Sequence, residues 1–310
     1  MVSMYSTQAE HIHKLESIEP GCWVHLMAPT EEEVTRVCEA LNLDPDAVRA
    51  ALDEEERARL EVEDNYTLIL VDTPMVEAGP KGFIYSTIPL SIIMTGEVIV
   101  TVCLKENPLL MDFYEGRVRG FSTRKLNRFV LQMLYRNATR FLFYLRQIDK
   151  ASYMVEGELH KSMKNKELIQ MLTLEKSLVY FSTSLKSNEV VMERLLRMDF
   201  IRAYPDDMDL LEDVIIENKQ AIEMCTIYRD ILSGTMDAFA SVISNNLNIV
   251  MKLLTSITII MTIPTLIASI WGMNVPVPFE HSANGFWIVL GITAGVTLLG
   301  TLFMARRKML

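Results

Sequence analysis

The chain has 310 residues, half of them apolar, with 30 basic and 40 acidic side chains. That length admits one large domain with a membrane anchor, or two domains. The last 63 residues hold four basic side chains (Lys252, Arg306, Arg307, Lys308) and one acid, Glu280, so residues 1–247 carry about 13 net negative charges, a surface that argues against nucleic acid as a partner and favours cations.

In chain order, Met1 to Pro20 reads as a polar segment with His11, His13, Lys14 and three glutamates, without the apolar stretch of a signal peptide. Its His-x-His pair reads as a solvent-exposed feature rather than a metal site. Cys22–Met27 is a short apolar strand. Thr30 with Glu33 three positions on is a capping box, for a helix reaching about Leu41. Asp44-Pro45 opens another helix, with proline at its first position. The segments 61–72, 84–94 and 98–104 alternate and are β-branched, broken by Gly79-Pro80 and Thr95-Gly96. They predict three or four strands of one sheet flanked by helices, an α/β domain over residues 1–120. Cys22, Cys38, Cys103 and Cys225 form no close pair and read as reduced cytosolic thiols.

Beyond Ser122 the texture changes. Apolar residues recur every three or four positions through Leu126–Lys164 and Leu168–Ala203, predicting two long antiparallel helices within residues 121–205, with a break near Lys164-Asn165. A third helix begins near Asp206. It meets no proline until Pro264 and only one glycine, Gly234, so it runs into the first apolar stretch as a helix of about 65 residues, close to 100 Å long. A helix of that length calls for a bundle or an oligomer.

No charged side chain occurs from Leu253 to Phe279 or from Ser282 to Ala305. Each run exceeds the roughly 20 residues that cross a bilayer. The expected layout is a stalk helix over 206–274 that becomes the first span at about 250–272, an external loop at 275–284, a second span at 285–305 and a basic tail at 306–310. Lys252 precedes the first span, Arg306-Arg307-Lys308 follow the second, and the loop has no Lys or Arg. Both chain ends therefore belong on the cytosolic side of the cell (inner) membrane. Glu280-His281 in the loop reads either as a cation-attracting pair or as ordinary loop polarity.

Within the first span, Asn248, Met251, Thr255, Thr258, Thr262, Thr265, Ser269 and Gly272 recur at alternating spacings of three and four, a heptad seam of mostly small or polar residues. Two readings of the seam stay open, close helix packing through small residues and one wall of a water-lined pore built from several copies. The seam continues into a Gly-Met-Asn corner at the outer end. An amide oxygen there is a neutral ligand for a hydrated cation, and the C-terminal end of the helix dipole favours cations.

Trp271-Gly272-Met273-Asn274, placed after the first of two C-terminal spans, resembles the signature of the CorA family of magnesium channels, with Trp where the family usually has Tyr. Asn248-Ile-Val-Met-Lys-Leu-Leu-Thr255, Arg229-Asp-Ile-Leu-Ser-Gly234, the basic tail and the Asp53-Glu-Glu-Glu-Arg57 segment fit the same family, so the resemblance covers essentially the whole chain. It implies an α+β membrane protein, with an N-terminal α/β cytosolic domain, long helices forming a stalk, and two C-terminal transmembrane helices, assembled as a homopentamer. It implies a selectivity filter of Gly272, Met273 and Asn274, the asparagines forming an outer ring that receives hydrated Mg²⁺. It implies a pore lined by Asn248, Met251, Leu254, Thr258, Thr262, Thr265 and Ser269, with Leu254 in a constriction near the cytosol and Thr262 where the family often has a bulky Met. It also implies closure by cytosolic Mg²⁺ bound at acids between subunits, here Asp213, with Asp237 lower on the same stalk. Co²⁺ and Ni²⁺ are further expected cargoes. A related branch of the superfamily moves Zn²⁺, typically with a changed middle residue in the motif, and the intact Met273 points to Mg²⁺. No Gly-x-x-x-x-Gly-Lys-Ser/Thr loop is present, so no nucleotide is expected to drive transport. The other classes open at this point are a membrane-anchored enzyme, for which no nucleophile–His–Asp set argues, and a two-span scaffold or sensor.

Overall fold

The computed structural model describes residues 1–8, 11–79, 82–162, 165–202, 204–279 and 283–307. The chain forms two compact units, Met1–Met236 and Asp237–Leu310.

The first unit is built on a seven-stranded sheet in the order β2-β1-β3-β7-β6-β5-β4. The strands are β1 (Val2–Gln8), β2 (His11–Leu15), β3 (Trp23–Met27), β4 (Arg59–Val62), β5 (Thr67–Gly79), β6 (Gly82–Met94) and β7 (Ile99–Cys103). Only β3 and β7 run parallel; every other pair is antiparallel. Successive residues on a strand point to opposite faces, and here both faces are covered. Trp23, Ile69, Val71, Ile92 and Met94 enter one core, while Val24, Leu68, Leu70, Ile93 and Val100 enter the other. That is why these strands read as near-continuous apolar runs.

The second of these cores is closed by α1 (Glu31–Leu41), α2 (Pro45–Arg49) and a 3-10 turn at Ala50–Leu52. The capping box at α1 forms as expected, with the Glu33 N–H donating to Thr30 Oγ1 and the Thr30 N–H to Glu33 Oε2. The first core is closed by α3 (Pro108–Tyr114), α4 (Leu126–Ser162), α5 (Asn165–Leu195), a short α6 (Asp199–Arg202) and the start of α7 (Pro205–Trp271). Phe113 and Phe129 meet Trp23 edge-on there. Trp23 Nε1 donates to Thr101 Oγ1, and Nδ1 of the buried His25 shares a hydrogen bond with the same hydroxyl at 3.0 Å. Burial pushes the His25 pKa down to about 4, so the ring is neutral. On β5, just beyond the stretch paired with β4, Asn188 of α5 accepts from the Asp72 N–H, and both Asn188 and Asn137 of α4 donate to the Asp72 carbonyl. Three elements are thereby tied at one residue.

Several expectations are corrected. The three segments between 61 and 104 supply four strands, β4 to β7, and 22–27 supplies β3, as expected; the polar N-terminal stretch adds the unforeseen β1 and β2, for a sheet of seven. The segment 61–72 is split between β4 and β5 by a turn, and β5 extends to Gly79. The second long helix ends at Leu195 rather than Ala203; the chain turns through Arg197 and Met198, whose N–H groups bond three residues back. The expected helix break near Lys164-Asn165 lies partly at residues 163–164, outside the described residues, as does Glu280-His281. Histidines 11 and 13 sit exposed on β2, opposite Gln8 and Ser6.

The second unit holds the end of α7 and α8 (Gly285–Arg306). Both helices are long and apolar enough to cross a membrane.

Candidate functional site

The seam lies on α7, a helix of 67 residues whose only internal proline is Pro264. Ile263 meets Gly300 of α8, and Pro264 lines a groove of about 330 Å³ with Leu290, Thr293, Ala294, Thr297, Leu298 and Thr301. Ser256 is buried, and Ile260, Ile263, Pro264 and Ile267 are partly covered. At 100° per residue these positions form one face of α7, and the seam is centred about 170° from it. Asn248, Met251, Leu254, Thr258, Thr262, Thr265 and Ser269 are all exposed on that opposite side. The structure thus aligns the seven pore-lining candidates along the face that α8 leaves bare.

The seam threonines have a uniform bonding pattern. Thr255, Thr258, Thr262 and Thr265 each donate their hydroxyl hydrogen to the backbone carbonyl four residues back, at 2.7–3.0 Å. A hydroxyl so engaged keeps its lone pairs free. Outwardly these four threonines therefore offer oxygen acceptors and no hydroxyl donors, a surface suited to water molecules turned hydrogen-first, as around a cation. Thr293, Thr297 and Thr301 on α8 bond the same way but face the groove toward Pro264. Back-bonding alone is thus not diagnostic, and the exposed placement distinguishes the α7 stripe.

At its C-terminal end α7 stops at Trp271. The Gly272 N–H reaches Ala268 O at 2.9 Å and the Met273 N–H reaches Ile270 O at 3.4 Å, a tightened last turn. Gly272, Met273 and Asn274 follow, all exposed. The basic residues Lys252, Arg306 and Arg307 are exposed as well.

Asp213 and Asp237 are both exposed on α7, 24 residues apart. Asp213 belongs to the first unit and Asp237 to the second, and among the described residues no cluster of three or more His, Cys, Asp or Glu could hold a metal ion. Two features escaped the sequence reading. One is which face of α7 the second helix covers; the half-turn offset of Ile260, Ile263 and Ile267 from the seam was the available signal. The other is a hydrogen bond from the Trp271 indole across the corner to Pro278, for which the sequence holds no signal beyond the Trp and Pro themselves.

Comparison with known proteins gives the class. The family model described as CorA-like Mg2+ transporter protein matches residues 19–307. The cobalt/magnesium transport protein CorA of Methanocaldococcus jannaschii is 25% identical over 287 residues, covering 89% of this chain and 87% of that protein. Its namesake from Thermotoga maritima is 23% identical over 315 residues, covering 98% and 88%. Among solved structures, the complete CorA magnesium transporter from M. jannaschii superposes with a TM-score of 0.86 at 22% identity, over 99% of this chain and 98% of that one. The chain belongs to the CorA-like Mg2+ transporter family, a family of membrane transporters rather than enzymes.

Proposed function

We propose that the chain is one subunit of a homopentameric channel that takes up hydrated Mg²⁺, with Co²⁺ and Ni²⁺ as further cargoes. The curated relatives named for cobalt and magnesium transport support that cargo set. The observation that carries the reading is the bare α7 face, where acceptor-only threonines lead to the exposed Asn274 amide. Five such faces around one axis make a neutral, water-lined path closed outside by a ring of amides. Mg²⁺ dehydrates reluctantly, so carbonyl oxygens that hold its water shell suit it better than ligands that strip it. Lys252, Arg306 and Arg307 favour a cytosolic location for both ends of the hairpin. Inward flow then needs no nucleotide, since a divalent ion gains about 4.6 kcal/mol in crossing 100 mV. Asp213, with Asp237 lower on the stalk, is proposed to bind cytosolic Mg²⁺ between neighbouring subunits and hold the pore closed.

The test is Mg²⁺ influx into liposomes carrying an internal Mg²⁺ dye. Asn274→Ala is expected to abolish voltage-driven influx while the oligomer stays assembled; normal influx would refute the filter assignment. Asp213→Ala is expected to raise the internal Mg²⁺ needed for closure by about tenfold, the loss of one charged ligand. An unchanged inhibition curve moves the sensor elsewhere.

A further inference from the structure

The corner that carries Asn274 is fastened at both ends. Trp271 is half-buried, and its indole Nε1 donates to the Pro278 carbonyl at 3.0 Å. That bond closes residues 272–277 into a ring. Inside and at the edge of the ring, Pro276 and Pro278 have φ fixed near −65°, which removes two of the loop's softest torsions. At the far end Phe279 adopts φ +67°, a left-handed conformation that a non-glycine residue holds only when its surroundings impose it. Its carbonyl lies against Gly285, the buried first residue of α8, where a Cβ would run into the Phe279 oxygen. Glycine at 285 is thus required for the loop to seat on α8.

A tryptophan at this depth has an ordinary role as an interfacial anchor, its amphipathic ring sitting at headgroup level. Trp287 has the same side chain in an open setting, 69% exposed, and among the described residues its indole nitrogen has no hydrogen-bond partner. Trp271 differs in that its only polar atom is spent on the loop's own backbone.

We propose that Trp271 is a positioning residue for ion selection: the indole N–H clasped on the Pro278 carbonyl, with Phe279 seated on Gly285, holds the Asn274 amide at a fixed height and direction. The inference rests on the reading of Asn274 as the filter. A braced amide ring keeps the spacing that accepts a hydrated Mg²⁺. A slack ring adapts to the larger, more easily dehydrated Ca²⁺. The clasp therefore governs discrimination and leaves closure by cytosolic Mg²⁺ alone.

The experiment measures the ratio of Mg²⁺ to Ca²⁺ influx in proteoliposomes, with assembly followed by size-exclusion chromatography. Trp271→Phe keeps the aromatic ring and removes the donor; the ratio is expected to fall about fivefold to tenfold, the scale of one hydrogen bond. Gly285→Ala disturbs the same loop from its other end and is expected to lower the ratio likewise. Trp287→Phe is expected to keep the wild-type ratio, and all three to keep the wild-type inhibition curve. Should Trp271→Phe fail to assemble, Gly285→Ala decides, together with amide hydrogen exchange at residues 272–277, which is expected to quicken in either variant. A wild-type ratio in Trp271→Phe, or an equal fall in Trp287→Phe, overturns the clasp. Asn274→Ala in the same vesicles separates the two levels. Normal Mg²⁺ influx through it overturns the filter and the clasp together, whereas abolished influx alongside unchanged ratios in Trp271→Phe and Gly285→Ala overturns the clasp alone.

Discussion

In Met1–Met236 the large rings of Trp23, Phe113, Phe129, Phe141 and Phe181 are wholly buried, whereas in Asp237–Leu310 Phe286 and Trp287 are 71% and 69% exposed. Polar groups diverge in the same way. Alongside hydroxyls that close onto their own helix, such as Ser177 and Thr183, the first unit has buried groups that find partners across the fold: Thr101 with Trp23 and His25, Asn188 with Asp72. The threonines of the second unit close onto their own helix. Every backbone and side-chain donor needs a partner in either setting. Water lets the first unit hide its apolar groups and satisfy the rest by tertiary contacts; hydrocarbon leaves the second only local solutions. The two units are built for solvents of opposite polarity, and the α7 seam is where the second unit exposes its hydroxyls rather than turning them to the helix pair, as Thr293, Thr297 and Thr301 are.

The contrast is tested most strongly by truncating one tryptophan in each unit. Trp23→Ala is expected to destabilise the water-soluble unit by about 3–5 kcal/mol, from the cavity and from the stranded Thr101 hydroxyl. Trp287→Ala is expected to leave the urea unfolding of that unit unchanged in detergent-solubilised full chain, read by near-ultraviolet circular dichroism. Equal losses would erase the distinction. A second pair sharpens it within α7. An aspartate replacing Ile257, an exposed apolar residue off the seam, is expected to cost about 2.5–3.5 kcal/mol of membrane insertion. The same change at Thr262 is expected to insert normally if that residue faces water in the proposed pore. Alkaline extraction of membranes reports the inserted fraction, and matching yields would break the assignment of the seam.

The smallest expected effect concerns acid. His25 takes a proton near pH 6.5 when unfolded and near 4 when folded. Its stabilising contribution is complete above pH 6.5 and is lost as pH falls toward 4. Between pH 7.5 and pH 5 the first unit should lose about 2 kcal/mol through this residue. His25→Gln is expected to flatten the fall by that amount, measured as the shift in urea midpoint between the two pH values. A slope identical in both proteins would assign the acid sensitivity to other groups.

Legibility in the sequence followed the range of the interactions. The capping box at Thr30 and Glu33 was readable because its four positions decide it alone. The 67-residue α7 was readable from the scarcity of proline and glycine. β1 and β2 were not, because their alternation is carried by Ser, Thr and His and only the pairing of β1 with β3, and of β2 with β1, makes them strands. The end of α5 at Leu195 was hidden by helical periodicity that continues past the turn. In the candidate site, the seam and the corner were visible as spacing and composition. The covered face of α7 was not, since it depends on where α8 packs. The Trp271 to Pro278 bond was invisible for a related reason: its acceptor is a main-chain carbonyl, which every residue possesses.

Between Lys252 and Glu280 no side chain titrates in the ordinary range of pH. In the proposed pore, a wall of that kind would have nothing to protonate, so it would neither buffer nor relay hydrogen ions, and a divalent cation would meet the same surface in mild acid as in mild base. Any proton sensitivity of transport would then originate on the aqueous side of the molecule and reach the wall as a change in conformation.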